Sequence, residues 1–333
     1  MRKILNEPSN FVQETMEGIC MAHPEQLKMV DGDFRAIVRA HKKENKVGIV
    51  TAGGSGHLPT FMGYVGEGLL DGCAIGDVFA SPSASKMSKV IEACDSGKGV
   101  LCLYGNYGGD KMNFSMAREE VEFNDIETEA VIVSDDIASS EENDKRRGVA
   151  GMVFAFKIAG AAAERGLSLH EVAEVTRKAL ANIRTMGIAL SPCIVPTVGK
   201  STFNVEDGKM EIGMGIHGEA GIEVTDLKTA DEIATILLDK IRTEIDITEG
   251  TKVSVMINGL GATPLEEQYI VFRKVNMMIE ALGAKVVSAH VGEFATSMEM
   301  AGLSLTVFKL DDELESLLKD EAITPFYTSI NKR

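Results

Sequence analysis

The chain carries 333 residues, 44% of them hydrophobic and 25% charged, with 33 glycines against 8 prolines; at about 150 residues per domain this is enough for two domains with buried cores, and it excludes a disordered chain. Lysine and arginine number 34 against 50 aspartates and glutamates, a formal charge of −16, so the average surface repels phosphate backbones and anionic headgroups and no nucleic-acid partner is expected. Five cysteines, Cys20, Cys73, Cys94, Cys102 and Cys193, lack CxxC spacing, which argues against a disulfide framework or structural zinc and predicts buried thiols in a reducing compartment.

No apolar run of signal-peptide length precedes Phe11, and the most apolar stretch, 152–163, is interrupted by Lys157. Neither a leader nor a membrane span is predicted, and a cytoplasmic location is expected. Short β-branched runs alternate with longer helical patterns, which predicts an α/β fold with a mostly parallel sheet covered on both faces. In chain order, 46–51 (KVGIVT), 99–104 (GVLCLY) and 129–134 (EAVIVS) are predicted strands, each followed by glycine or aspartate. Helices are predicted over 149–165 and 168–185, the second opened by Ser168 with Glu171 at capping-box spacing. The segment 191–221, rich in glycine and alternating in polarity, predicts extended or hairpin structure. Beyond it, 228–243 and 264–282 are predicted helices, and 252–258, 285–290 and 303–309 predicted strands. The expected division is an N-terminal α/β domain, 1–190, and a C-terminal α/β domain, 191–333.

Ligands of such sheets gather at the carboxyl ends of the strands. Gly53-Gly54-Ser55-Gly56-His57 stands there, where glycine lets backbone N–H groups approach an oxygen-rich ligand. A simple turn explains the glycines equally well, and His57 tilts the balance toward chemistry. Asp110, in 105–110 (GNYGGD), puts a carboxylate at the same rim, so that His57 and Asp110 form a candidate acid/base pair; a turn or capping role is the alternative for the aspartate. His217, in 213–219 (GMGIHGE), is flanked by glycines that uncover its ring. Its side chain suits a nucleophile or a hydrogen-bond donor, or else a histidine bonded within a hairpin. His23, His41, His170 and His290 have no such setting and form no metal motif. Asp135 and Asp136 are expected in turn and capping roles, and Lys145, Arg146 and Arg147 in a solvated helix start or an ion-pairing patch. Near Lys200 the P-loop pattern fails, because Ile194 occupies the first glycine position.

At these residues the chain resembles the substrate-binding subunits of dihydroxyacetone kinases, the DhaK family. The motifs are 53–57 (GGSGH), 63–72 (GYVGEGLLDG), 106–114 (NYGGDKMNF), 146–164 (RRGVAGMVFAFKIAGAAAE), 187–196 (GIALSPCIVP) and 210–221 (MEIGMGIHGEAG), in order across nearly the whole length. The resemblance implies two α/β domains of DhaK type and a homodimer. It implies a short-chain ketose held as a hemiaminal on His217, with Asp110 accepting the hydroxyl proton, His57 assisting, and Gly54, Ser55 and Gly56 contacting the substrate. It also implies glycerol metabolism as the setting, and a separate DhaL-type subunit that carries ADP or ATP and magnesium, this chain binding no cofactor itself. The phosphate then comes from ATP or from a phosphotransferase-system carrier. Two departures stand out. Dihydroxyacetone-specific members usually read GHEPAH where this chain has 56–61 (GHLPTF), and KNYTGD where it has 105–110 (GNYGGD). A polar contact is lost at Leu58 and Gly105 and room is gained, so an erythrulose competes with dihydroxyacetone as the expected substrate. The alternative to a kinase subunit is a ketose-binding receptor or co-activator paralogue.

Overall fold

The computed structural model describes residues 3–330 apart from position 202. The chain forms two compact units, but not by one cut near position 190. Unit 1 takes the residues up to Val133, Val153–Ala179 and those from Leu314 onward; unit 2 takes Ser134–Met152 and Leu180–Glu313.

In unit 1, α1 (Phe11–Ala22) precedes a hairpin of β1 (Leu27–Val30) and β2 (Asp33–Arg39). There follow β3 (Gly48–Ser55), β4 (Gly72–Val78), α2 (Ala84–Cys94), β5 (Val100–Gly105), α3 (Gly108–Glu122) and β6 (Thr128–Val133). The sheet runs β1-β2-β4-β3-β5-β6. Strands β4, β3, β5 and β6 are parallel, and the β1–β2 hairpin joins antiparallel at the edge. Val50 and Ala52 of β3, Ala74 of β4 and Cys102 and Tyr104 of β5 bury against Met87 and Ile91 of α2 and Phe114 and Ala117 of α3.

The chain re-enters unit 1 through α4 (Met152–Glu164), which is buried along almost all its length, and α5 (Leu169–Ala181), closed at its start by the expected capping box. Lys157, in the middle of α4, is 1% exposed; its Nζ donates to the Leu317 carbonyl at 2.9 Å, and burial draws its ammonium down to about 8. Helix α5 ends at Ala181, four residues before the predicted 185. There β7 (Ile183–Ser191) begins and becomes an interior strand of unit 2, because β-branched Ile183 and Thr185 pair with β12 and override the helical spacing carried over from α5.

The remaining elements of unit 2 are β8 (Lys209–Ile212), β9 (Glu223–Asp226), α6 (Ala230–Arg242), β10 (Lys252–Gly259), α7 (Leu265–Ala281), β11 (Lys285–Gly292) and β12 (Ala301–Leu310). The helix α8 (Asp312–Leu318) and the short pair β13 (Ala322–Ile323) and β14 (Thr328–Ser329) follow. The second sheet runs β11-β10-β12-β7-β8-β9. It is not mostly parallel: only β10 and β11, joined across α7, pair in parallel. The short loop between β8 and β9 returns the chain antiparallel, and β12 lies antiparallel between β10 and β7. Alternation divides the faces. Ile188, Val253, Val255, Leu305 and Val307 pack with Ile233, Leu237, Val271 and Val275 of α6 and α7. The opposite face carries buried Thr185, Ser254, Asn258, Ser304 and Thr306. Among the described residues no helix is long and apolar enough to cross a membrane.

Helix α4 meets main chain at Gly160, where a β-carbon would lie 2.5 Å from the Gly68 carbonyl oxygen and from Leu69 Cα. Gly160→Ala is expected to cost about 1–3 kcal/mol, as overpacked cores do, and to lower the urea midpoint. An unchanged midpoint would show that α4 can withdraw from this contact.

Candidate active site

Unit 1 collects three loops at the carboxyl ends of adjacent parallel strands β4, β3 and β5. Pairing of β3 with β4 jumps from Gly53↔Ile75 to Ser55↔Val78, so two residues of β4 oppose Gly54 alone. This irregularity, of the bulge kind, ends regular pairing at the rim of a site. The glycines at 53 and 54 thus belong to the end of β3 rather than to a loop after it. A β-carbon on Gly54 would sit 2.7 Å from Ala80 N, and one on Gly53 would enter the Phe61 ring. The Ser55 hydroxyl donates to the Gly76 carbonyl at 2.9 Å, tying β3 to β4, and Gly56 turns the chain with φ +98°.

His57 follows, fully buried, its ring stacked on Phe79 at 4.9 Å between centroids and met by the edge of Phe61 at 6.1 Å. Asp110 lies in the first turn of α3, which starts at Gly108 just beyond β5, and is 4% exposed. Gly109 beside it lets the Ser81 side chain approach, Oγ lying 2.7 Å from where a β-carbon would be. His57 and Asp110 therefore stand at the same rim of one sheet, just beyond the ends of neighbouring strands β3 and β5.

His217 belongs to unit 2, in the loop between β8 and β9. That loop reverses through Gly215 and Gly218, the Gly218 N–H donating to the Gly215 carbonyl and the Gly215 N–H to that of Glu219, both at 3.0 Å. Glu219 folds back on the histidine: Oε2 accepts from the His217 backbone N–H at 3.0 Å, and Oε1 lies 2.9 Å from Nδ1. Burial alone would raise the Glu219 carboxyl. The His217 hydrogen bond and the positive charge around it, Arg147 included, outweigh burial and hold it at about 2. An ionised carboxylate only accepts, so the ring donates from Nδ1, and in the neutral ring the lone pair falls on Nε2. With 23% of its side chain exposed, His217 is reachable from outside.

Arg147 braces this arrangement. Its Nη1 lies 3.8 Å from Glu219 Oε2, its Nη2 donates to the Gly213 carbonyl at 3.0 Å, and its Nε donates to Asp136 Oδ2 at 2.9 Å. Burial lifts the Asp136 carboxyl to about 6, Arg147 pulling it down and adjacent Asp135 pushing it further up. Asp135 accepts from the backbone N–H groups of Val149 and Gly151 at 2.8 and 2.7 Å, closing the turn before α4. Arg146, 2% exposed, pairs with Glu244. The basic run is an ion-pairing patch, not a solvated helix start. Below the histidine, Ser297 Oγ donates to the Ile216 carbonyl at 2.5 Å.

The predicted residues thus fall in two groups, Gly54, Ser55, Gly56, His57 and Asp110 in unit 1 and His217 in unit 2. Sequence reasoning left Glu219 and Phe79 without roles. A carboxylate two residues after a glycine-flanked histidine was the available signal for Glu219. Of the cysteines, Cys20 is only half-buried and the other four are buried, with none of the five in a disulfide. Among the described residues, His, Cys, Asp and Glu form no group able to hold a metal ion.

Residues 17–326 match the model of the Dak1 domain. Over 328 residues the chain is 42% identical to the PTS-dependent dihydroxyacetone kinase 2, dihydroxyacetone-binding subunit DhaK, of Listeria innocua, covering 98% of this chain and 99% of that one. It is also 42% identical to the L-erythrulose kinase of Pectobacterium atrosepticum, covering 98% of this chain but 56% of that longer protein. Among solved structures, the dihydroxyacetone kinase operon co-activator Dha-DhaQ superposes with a TM-score of 0.88 at 31% identity, covering 95% of this chain and 97% of that one.

Because its folded-state pKa is depressed, ionised Glu219 contributes stability that is present above the ordinary carboxylate pKa of 4.5 and is lost as pH falls through about 2. Glu219→Gln is expected to flatten the fall in melting temperature between about pH 5 and pH 2. An acid limb identical to wild type would mean that the carboxylate is not held by its neighbours.

Proposed function

The chain belongs to the Dak1 domain family, and from that premise we propose that it is the substrate-holding subunit of a dihydroxyacetone-type ketose kinase, working with a separate DhaL-type subunit that carries the nucleotide and magnesium. The observation that carries the chemistry is the hydrogen bond from His217 Nδ1 to Glu219. It leaves Nε2 as the nucleophile toward the ketose carbonyl. As the N–C bond forms, the carbonyl π pair moves to oxygen, which takes up a proton from solvent water. The substituted ring keeps its Nδ1 proton and a positive charge that faces the Glu219 carboxylate. The tethered ketose then offers a terminal hydroxyl to the phosphoryl group on the partner's nucleotide, a gain of proximity and orientation. Asp110 accepts the hydroxyl proton, His57 hydrogen-bonds the substrate and assists, and the 54–56 backbone approaches the ligand where regular strand pairing ends. A homodimer in the cytoplasm completes the reading.

Leu58 and Gly105 stand where dihydroxyacetone-specific members carry polar residues, which keeps an erythrulose beside dihydroxyacetone as substrate. The L-erythrulose kinase relative is in keeping with this. The words "PTS-dependent" in the Listeria relative's name favour a phosphotransferase-system carrier as the source of phosphate over ATP. The likeness to a co-activator supports a second reading, a ketose receptor without turnover. Asp110, buried at the start of a helix, favours the kinase, because capture by His217 needs no base.

In calorimetry, dihydroxyacetone or an erythrulose is expected to bind the wild-type chain, glycerol is not, and His217→Ala is expected to abolish the ketose signal. With a DhaL-type subunit and a phosphoryl donor, Asp110→Asn is expected to lower kcat by about 100-fold or more. Turnover untouched by Asp110→Asn overturns the mechanism, and ketose binding without turnover selects the receptor.

A further inference from the structure

Phe79 leaves β4 in a left-handed conformation, φ +59°, where a bulky side chain crowds its own backbone. The surroundings enforce it. Phe79 N–H donates to the Ser55 carbonyl at 3.0 Å and Ala80 N–H to that of Asp77 at 3.1 Å. The returning chain lies so close to Gly76 that a β-carbon there would stand 1.8 Å from the Ala80 carbonyl oxygen. The outcome of this turn is the placement of one ring. Phe79 stacks on the His57 imidazole at 4.9 Å with 25° between planes, and Phe61 closes from the edge at 88°.

We propose that Phe79 is a positioning residue for His57, its ring fixing the plane of the imidazole and so the directions in which the ring nitrogens exchange protons. Imidazole hydrogen bonds lie in the ring plane. A rotation about the side-chain axis takes both nitrogens out of line with a partner, and proton transfer requires that alignment. Strain at a functional site persists where surrounding structure over-determines it, and here the strained backbone carries the side chain that faces a reactive ring. The proposal rests on the proton-handling role given to His57 above.

The test uses the chain assembled with a DhaL-type subunit, a phosphoryl donor and the ketose that wild type turns over. Phe79→Gly keeps the turn, since glycine adopts positive φ freely, and removes the ring. It is expected to lower kcat by about 10-fold or more with KM within about twofold, and to shift the pH limb of kcat that His57→Asn removes. Phe79→Tyr is expected to restore both, while Phe79→Leu, which fills space without a planar face, is expected to restore neither. Wild-type kcat and pH profile in Phe79→Gly overturn the proposal, as does rescue by leucine equal to that by tyrosine. If Phe79→Gly melts far below wild type, the leucine and tyrosine variants decide alone. Absence of turnover in wild type overturns the kinase reading itself, and the assignment with it.

Discussion

Both groups of candidate residues depend on atoms coming closer to main chain than any β-carbon permits. At Gly54 the ends of β3 and β4 come within a distance that lets the 79–81 segment fold over the strand rim and carry a phenyl ring to His57. At Gly215 the would-be β-carbon position is 2.1 Å from Glu219 Oε2 and 2.4 Å from Arg147 Nη1. The carboxylate that orients His217 occupies the space a side chain would need. These glycines hold room for other groups.

The placement of the candidate residues is legible in the sequence where the signal is local. His57, Asp110 and His217 each sit in a glycine-rich run at the end of a predicted strand or within an extended segment, and the structure finds those runs at β3, at the start of α3 and between β8 and β9. What was not legible is what depends on distant pairing. The start of β7 looked like the tail of a helix because its partner, β12, lies more than a hundred residues away. The antiparallel character of the second sheet rests largely on the pairing of β12 with distant β10 and β7, which short β-branched runs do not announce. Phe79 looked like an ordinary aromatic, since only the packing of Gly54 and Gly76 beneath the turn forces its backbone into the left-handed region.

Charge shows the same dependence on long-range structure. The overall −16 is a sum over the whole chain, yet the groups nearest His217 form a short chain of alternating sign, from Glu219 through partly buried Arg147 to Asp136. In unit 1, Asp71 is shared by Arg39 and Lys46, with Glu164 completing the cluster on Arg39. Breaking such a network from one side leaves an uncompensated buried charge. A substitution at Arg147 therefore acts on stability and on the Glu219–His217 pair together.

The division of the chain into interleaved segments has a consequence for dissection. Unit 1 is assembled from three stretches and unit 2 from two, so a single cut of the polypeptide releases neither one whole. A fragment ending near position 190 would keep β7 without the β12 and β8 that flank it and would lack the C-terminal stretch of unit 1. Helix α4 would retain Lys157 without the Leu317 carbonyl that receives it. For this chain the smallest piece that can be expected to fold is nearly the entire polypeptide, and mapping its activity by truncation would misattribute loss of folding to loss of a functional residue.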